Sequence, residues 1–111
     1  MPFANTLERD THFEKHGHKF GAIDAVEYER MADQFMFGPM NADTRQCFRQ
    51  NRTANADRLR CEIVLRHFGI AGTEVGGPEF IRSFYPPTAS LIHRCGGMAG
   101  FFTIECGRIN L

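Results

Sequence analysis

The strongest constraint on this chain is a change of rhythm near residue 40. From Asp24 onward, Tyr28, Met31, Ala32, Phe35 and Met36 recur at i, i+3 and i+4, which lays one apolar stripe along an amphipathic helix. Asp24 with Glu27 forms a capping box at its start, and Gly38-Pro39 stops it. A shorter helix is predicted within Leu7 to His16, with Asp10 or Thr11 as its cap and Gly17 as its end. Beyond residue 40 the period falls to two. Arg45 to Gln50, Asp57 to Leu65, His67 to Ala71 and Phe80 to Tyr85 read as strands, and Gly100 to Cys106 fits one more. Turn residues at 51–56 and 72–77 separate them, and Pro86-Pro87 closes the fourth. Helices followed by sequential strands predict an α+β fold. Two N-terminal helices would pack on a twisted antiparallel sheet of four to five strands.

The 111 residues suit a single domain, 1–111, with one core. Eleven Phe and a 42% hydrophobic content argue for a folded chain. Lys plus Arg equals Asp plus Glu at 13 each, so the total charge does not point to a polyanion partner. The distribution says more: eight Arg lie between Arg45 and Arg94 beside only four acids. Arginine is the cation suited to forked contact with phosphate or carboxylate. The four cysteines show no C-x-x-C pair, and free, half-buried thiols are expected. No apolar run reaches the ~20 residues of a membrane span. The N-terminal stretch lacks the apolar region of a secretion signal, so export would depend on sequence outside the chain.

Residues 12–19 crowd three histidines and two lysines into eight positions. On a helix His12, Lys15 and His16 share one face at i, i+3 and i+4, while Phe13, Gly17 and Phe20 turn toward the core. Imidazole serves as base and acid near neutrality, and a nearby ammonium holds an anion while lowering the imidazole pKa. Cleavage of RNA by its own 2′-hydroxyl needs this pairing and no metal. The same spacing also occurs in solvated histidines and in zinc sites. Further along, Arg58 and Arg60 alternate onto one strand face with Glu62, and Arg49 belongs to the neighbouring strand. Such a row grips phosphates or forms an ordinary solvated sheet face. Only one of Arg82 and Ser83 can face that row. Phe84 and Tyr85 offer rings for stacking an unpaired base, with core packing the plainer role for Phe84. His67 reads as a surface histidine or a spare acid.

The blocks H-F-E-K-H-G-x-x-F-G at 12–21, E-Y-x-x-M-A-x-x-F at 27–35, D-R-L-R at 57–60, H-F-G-I at 67–70 and I-R-S-F-Y-P at 81–86 resemble the barnase/EndoU/colicin/RelE-like ribonuclease superfamily, in its phage and polymorphic-toxin branch. The front block is also similar to the Lys-His helix of colicin D-type transfer-RNA nucleases. The resemblance implies a metal-independent ribonuclease that uses no cofactor. It would cut RNA, and transfer RNA in particular, to leave a 2′,3′-cyclic phosphate and a 5′-hydroxyl. It further implies a toxin used in interbacterial competition such as contact-dependent growth inhibition. The domain would be delivered as the C-terminal part of a larger effector and act in the target-cell cytoplasm. It would insert in no membrane, and it would be a monomer or a heterodimer with a cognate immunity protein. Carried over by motif, His16 is the general base or acid, Lys15 and His12 assist it, and Ser83 hydrogen-bonds the scissile phosphate. Arg58 and Arg60 match the family's R-x-R strand and would bind phosphate, and the strand reading adds Arg49, Arg82 and Tyr85 as substrate-binding candidates. His18, Cys95 and Cys106 fall outside the pattern. The alternative is a non-catalytic module in which His12, His16 and His18 bind a metal, or in which the chain binds another protein.

Overall fold

The computed structural model describes residues 3–50, 56–62, 67–73, 78–94, 96–97, 100 and 102–103, apart from the side chains of 49–50, 89 and 91–92. Helix α1 spans Thr6–His16 and continues into a 3₁₀ turn at Gly17–Phe20; helix α2 spans Ala25–Phe37. Strands β1 (Thr44–Gln50), β2 (Ala56–Glu62), β3 (His67–Thr73) and β4 (Glu79–Tyr85) follow, and a short helix α3 (Ala89–Arg94) comes after Pro86-Pro87.

Local chemistry sets the helix ends. Asn5, rather than Asp10 or Thr11, caps α1, its side chain accepting from the Glu8 amide at 2.8 Å. Asp24 caps α2 as expected, accepting from the Glu27 amide at 2.7 Å. Gly17 ends α1 as expected, standing directly after His16 as its C-cap, but it keeps a helical φ of −57° and leads into the 3₁₀ turn. Its lack of a side chain serves packing, since a Cβ there would sit 2.3 Å from the Phe13 ring. The reversal falls instead at Gly21, whose φ of +74° suits glycine.

The four strands form one antiparallel sheet in the order β1-β2-β3-β4. The molecule is therefore α+β, with its two N-terminal helices before the sheet. Phe3 makes a parallel bridge to Ile81, which places the N-terminal segment along the outer side of β4. One sheet face packs under the helices through Phe3, Tyr28, Ala32, Met36, Ala71, Ile81 and Phe84, flanked by Phe13, Phe20 and Phe35. The Tyr28 hydroxyl donates to the Phe84 carbonyl, so even its polar tip is satisfied. Leu59, Cys61 and Phe68 form a second cluster with Cys47, Ile70, Tyr85 and Phe102. Alternation along β2 and β3 assigns that cluster to the opposite face. Burying each of these large side chains is worth about 1.5–3 kcal/mol.

Two further expectations change. Gly100, Phe102 and Thr103 are helical, not part of a closing strand, and the rest of Gly100 to Cys106 lies outside the described residues, as do residues 63–65 of the second predicted strand. Cys47 is disulfide-bonded, against the expectation of free thiols; Cys61 is free, and burial pushes its thiol up to about 11. Among the described residues no helix is long and apolar enough to cross a membrane.

Candidate active site

The front histidines line up along the outer edge of β4. The His12 ring stacks on Phe3 with centroids 5.7 Å apart, and on His16 at 6.2 Å. His16 in turn lies 5.5 Å from the Tyr85 ring at the end of β4. The result is a row of four rings, Phe3, His12, His16 and Tyr85, with exposed Lys15 beside it on α1 and exposed Lys19 one turn on. The Nδ1 atoms of His12 and His16 are buried and have no hydrogen-bond partner among the described residues. Burial lowers the His16 pKa to about 4, helped by the positive charge of Lys19 and, less, of its other neighbours. His12 is lowered too, mainly by burial, although Glu8 at 3.8 Å opposes the shift. At neutral pH both rings are uncharged bases set among ammonium groups. Such a pair can take a proton from a hydroxyl whose neighbouring phosphate the lysines hold.

The arginine row does not join them. Arg60 is only 6% exposed, because it lies under the C-terminal end of α2. It donates to the Phe35 carbonyl at 3.1 Å, the Gly38 carbonyl at 2.7 Å and the Gln46 side chain at 2.6 Å. Its guanidinium satisfies carbonyls that a helix end leaves without partners, so the structure places this expected phosphate-binding residue under α2. Arg58 ion-pairs with Glu79 and lies over the Phe37 ring, with the guanidinium carbon 4.9 Å from the ring centroid. It too is held at the end of α2, on Phe37 and Glu79. Arg49 pairs with Asp57 through the backbone, and its side chain lies outside the described residues.

Neither Arg82 nor Ser83 faces the Arg58 row, because the β3–β4 register shifts by one residue at Ile70/Ala71. Ser83 sits opposite Ile70 and so shares the sheet face of Ile70 and Tyr85. Arg82, the residue skipped at the shift, lays its stem over Gly72, where a Cβ would meet it at 2.3 Å, and binds the buried Asp57 at 3.0 Å. Its side chain remains 54% exposed. Alternation thus puts Ser83 one step along the strand from Tyr85, the ring that His16 touches.

The three-histidine metal alternative loses its geometry. His12 and His16 stack on each other, whereas His18 is exposed on the 3₁₀ turn. Among the described residues no group of three His, Cys, Asp or Glu side chains converges on one point.

One arrangement goes beyond the expected site residues. His67 Nδ1 lies 3.3 Å from Glu62 Oε2, and Asn41 donates to Glu62 Oε1 at 3.2 Å. All three line an open cleft of about 360 Å³ under α2, together with Gln34, Phe35 and Thr44. The signal lay in the register: Glu62 and His67 end adjacent antiparallel strands and face each other directly. Comparison of the chain with protein-family models, with curated proteins and with solved structures yields no match.

Proposed function

We propose that this chain is a metal-independent endoribonuclease of the toxin type. It cuts RNA, transfer RNA in particular, through its own 2′-hydroxyl and leaves 2′,3′-cyclic phosphate and 5′-hydroxyl ends. The observation that carries the reading is the desolvated His16 ring, stacked on His12, in tilted contact with Tyr85 and flanked by lysines. A neutral imidazole beside fixed positive charge is what abstraction of a 2′-proton next to a phosphate requires. Tyr85 supplies a face on which an unpaired base can stack, and Ser83 a hydroxyl on the same strand face. The exposed part of Arg82 supplies a cation farther along it. Arg58 and Arg60 drop out of the substrate contacts because α2 and Glu79 hold them. The overall architecture, two helices before an antiparallel sheet, agrees with what the motif resemblance implies.

A toxin of this kind calls for an immunity protein. Its natural target is the edge carrying Lys15, His16 and Lys19, and an acidic partner surface would be captured fastest there. Delivery as the C-terminal part of a larger effector, with action in the target-cell cytoplasm, belongs to the same proposal. The test is incubation with total RNA in EDTA, followed by mapping of the new ends. Cyclic-phosphate ends at defined transfer-RNA positions support the reading; intact RNA at high enzyme concentration defeats it.

A further inference from the structure

Resting on that ribonuclease reading, we propose that His67, oriented by Glu62 and Asn41, is a second catalytic residue: the general acid that protonates the departing 5′-oxygen while His16 serves as base. Three observations support it. The Asn41–Glu62–His67 chain is a built relay. Asn41 is itself fixed, its side-chain oxygen accepting from the Asp43 amide at 2.8 Å and the Thr44 hydroxyl at 3.0 Å. Glu62, engaged through one oxygen by Asn41, presents the other to His67 Nδ1. A carboxylate at Nδ1 fixes the tautomer, leaves Nε2 for the reaction and steadies the imidazolium. Second, phenyl rings set the plane of the imidazole: Phe20 at 5.0 Å, Phe35 at 5.9 Å and Phe84 at 5.9 Å all meet it edge-on.

Third, His67 and His16 occupy the same end of the sheet. Phe68 pairs with Tyr85, so the start of β3 and the end of β4 lie side by side, about 4.8 Å apart as neighbouring strands are. His16 touches Tyr85, and one 3₁₀ turn later Phe20 packs on His67. The two imidazoles therefore flank the Gly17–Phe20 turn, which carries the exposed His18 and Lys19. In the reaction the 2′-hydroxyl proton passes to His16 as the 2′-oxygen bonds phosphorus. The bond from phosphorus to the 5′-oxygen breaks, and the His67 proton goes to that oxygen. Proton exchange with water then resets both rings.

A pH signature follows. Burial lowers the His67 pKa below its usual 6.5, opposed by Glu62; among the described residues the 3₁₀ turn, α2 and β4 meet it with phenyl rings. The base must be neutral and the acid protonated, so kcat/KM is bell-shaped and peaks on the acid side of neutrality, between about 4 and 6.5.

The experiment compares wild type, His67→Asn, Glu62→Gln and His16→Ala on a defined RNA in EDTA, and on the same RNA with a bridging 5′-sulfur at the cleavage site. A thiolate leaves without protonation. His67→Asn should lose about 100-fold or more on the oxygen substrate and recover most of it on the sulfur substrate, whereas His16→Ala stays slow on both. Glu62→Gln, which keeps the side-chain shape, should move the alkaline limb to lower pH and lower the His67 pKa read by NMR. An equal loss of His67→Asn on both substrates, no loss at all, or an unmoved limb in Glu62→Gln overturns the proposal and leaves the ribonuclease reading standing. Failure of the wild type to cut any RNA overturns that reading and this proposal with it.

Discussion

At the scale of single residues, Arg60 shows how a side chain's role depends on what lies above it. R-x-R alternation on a strand looks the same whether the face meets water or a helix end. Here α2 stops directly over Arg60, and the guanidinium is consumed by the Phe35 and Gly38 carbonyls and by Gln46. Arg60→Ala should therefore destabilise the fold by about 1–3 kcal/mol in urea unfolding, the cost of leaving buried acceptors without a donor. The salt dependence of RNA binding should stay unchanged, whereas a phosphate contact would lower its slope by about one. The histidine face of α1, by contrast, was readable from i, i+3, i+4 spacing alone, because nothing intervenes between helix periodicity and the side a residue occupies. Which neighbours it would meet was not readable. Tyr85 meets His16 where the N-terminal segment, bridged by Phe3 to Ile81, runs along β4.

At the scale of elements, the sheet was legible because its turn residues and two-residue period mark each strand. The structure extends those strands by only one or two residues at the described ends. What escaped was the register shift at Ile70/Ala71, which turns Ser83 and Arg82 away from the Arg58 row. Nothing in the spacing of either strand announces it, since a bulge is settled by pairing with a partner. The seat of α2 was equally hidden. Gly69 lets Met36 and Phe35 approach the sheet, and a Cβ there would lie 2.6 Å from the Met36 sulfur. Gly69→Val should overpack this contact and lower stability by about 1–3 kcal/mol, read as a lower urea midpoint. A midpoint equal to wild type would mean that α2 is not seated as described.

At the scale of the whole molecule, three half-buried histidines couple stability to acid. His12, His16 and His67 all have folded-state pKa values lowered by burial, to about 4 for His16. Between 6.5 and those values the unfolded chain binds more protons than the folded one. Their contribution is thus fully present above pH 6.5 and is lost as pH falls toward 4. The urea midpoint should drop from pH 7.5 to pH 4.5, and by less in His16→Gln, which removes one of the titrating rings. An identical drop in that variant would contradict the buried position of His16.

The same ring carries the functional account. A half-buried His16 packed between His12 and Tyr85 contributes little to the core, yet it is the proposed base. Substituting it should separate activity from folding. The most direct measurement is therefore the yield of 2′,3′-cyclic phosphate ends from total RNA in EDTA, for wild type and for folded His16→Ala side by side. The account predicts defined cuts with the wild type and a loss of at least about 100-fold with the variant. Equal cleavage by the two proteins, or none by the wild type, would contradict it.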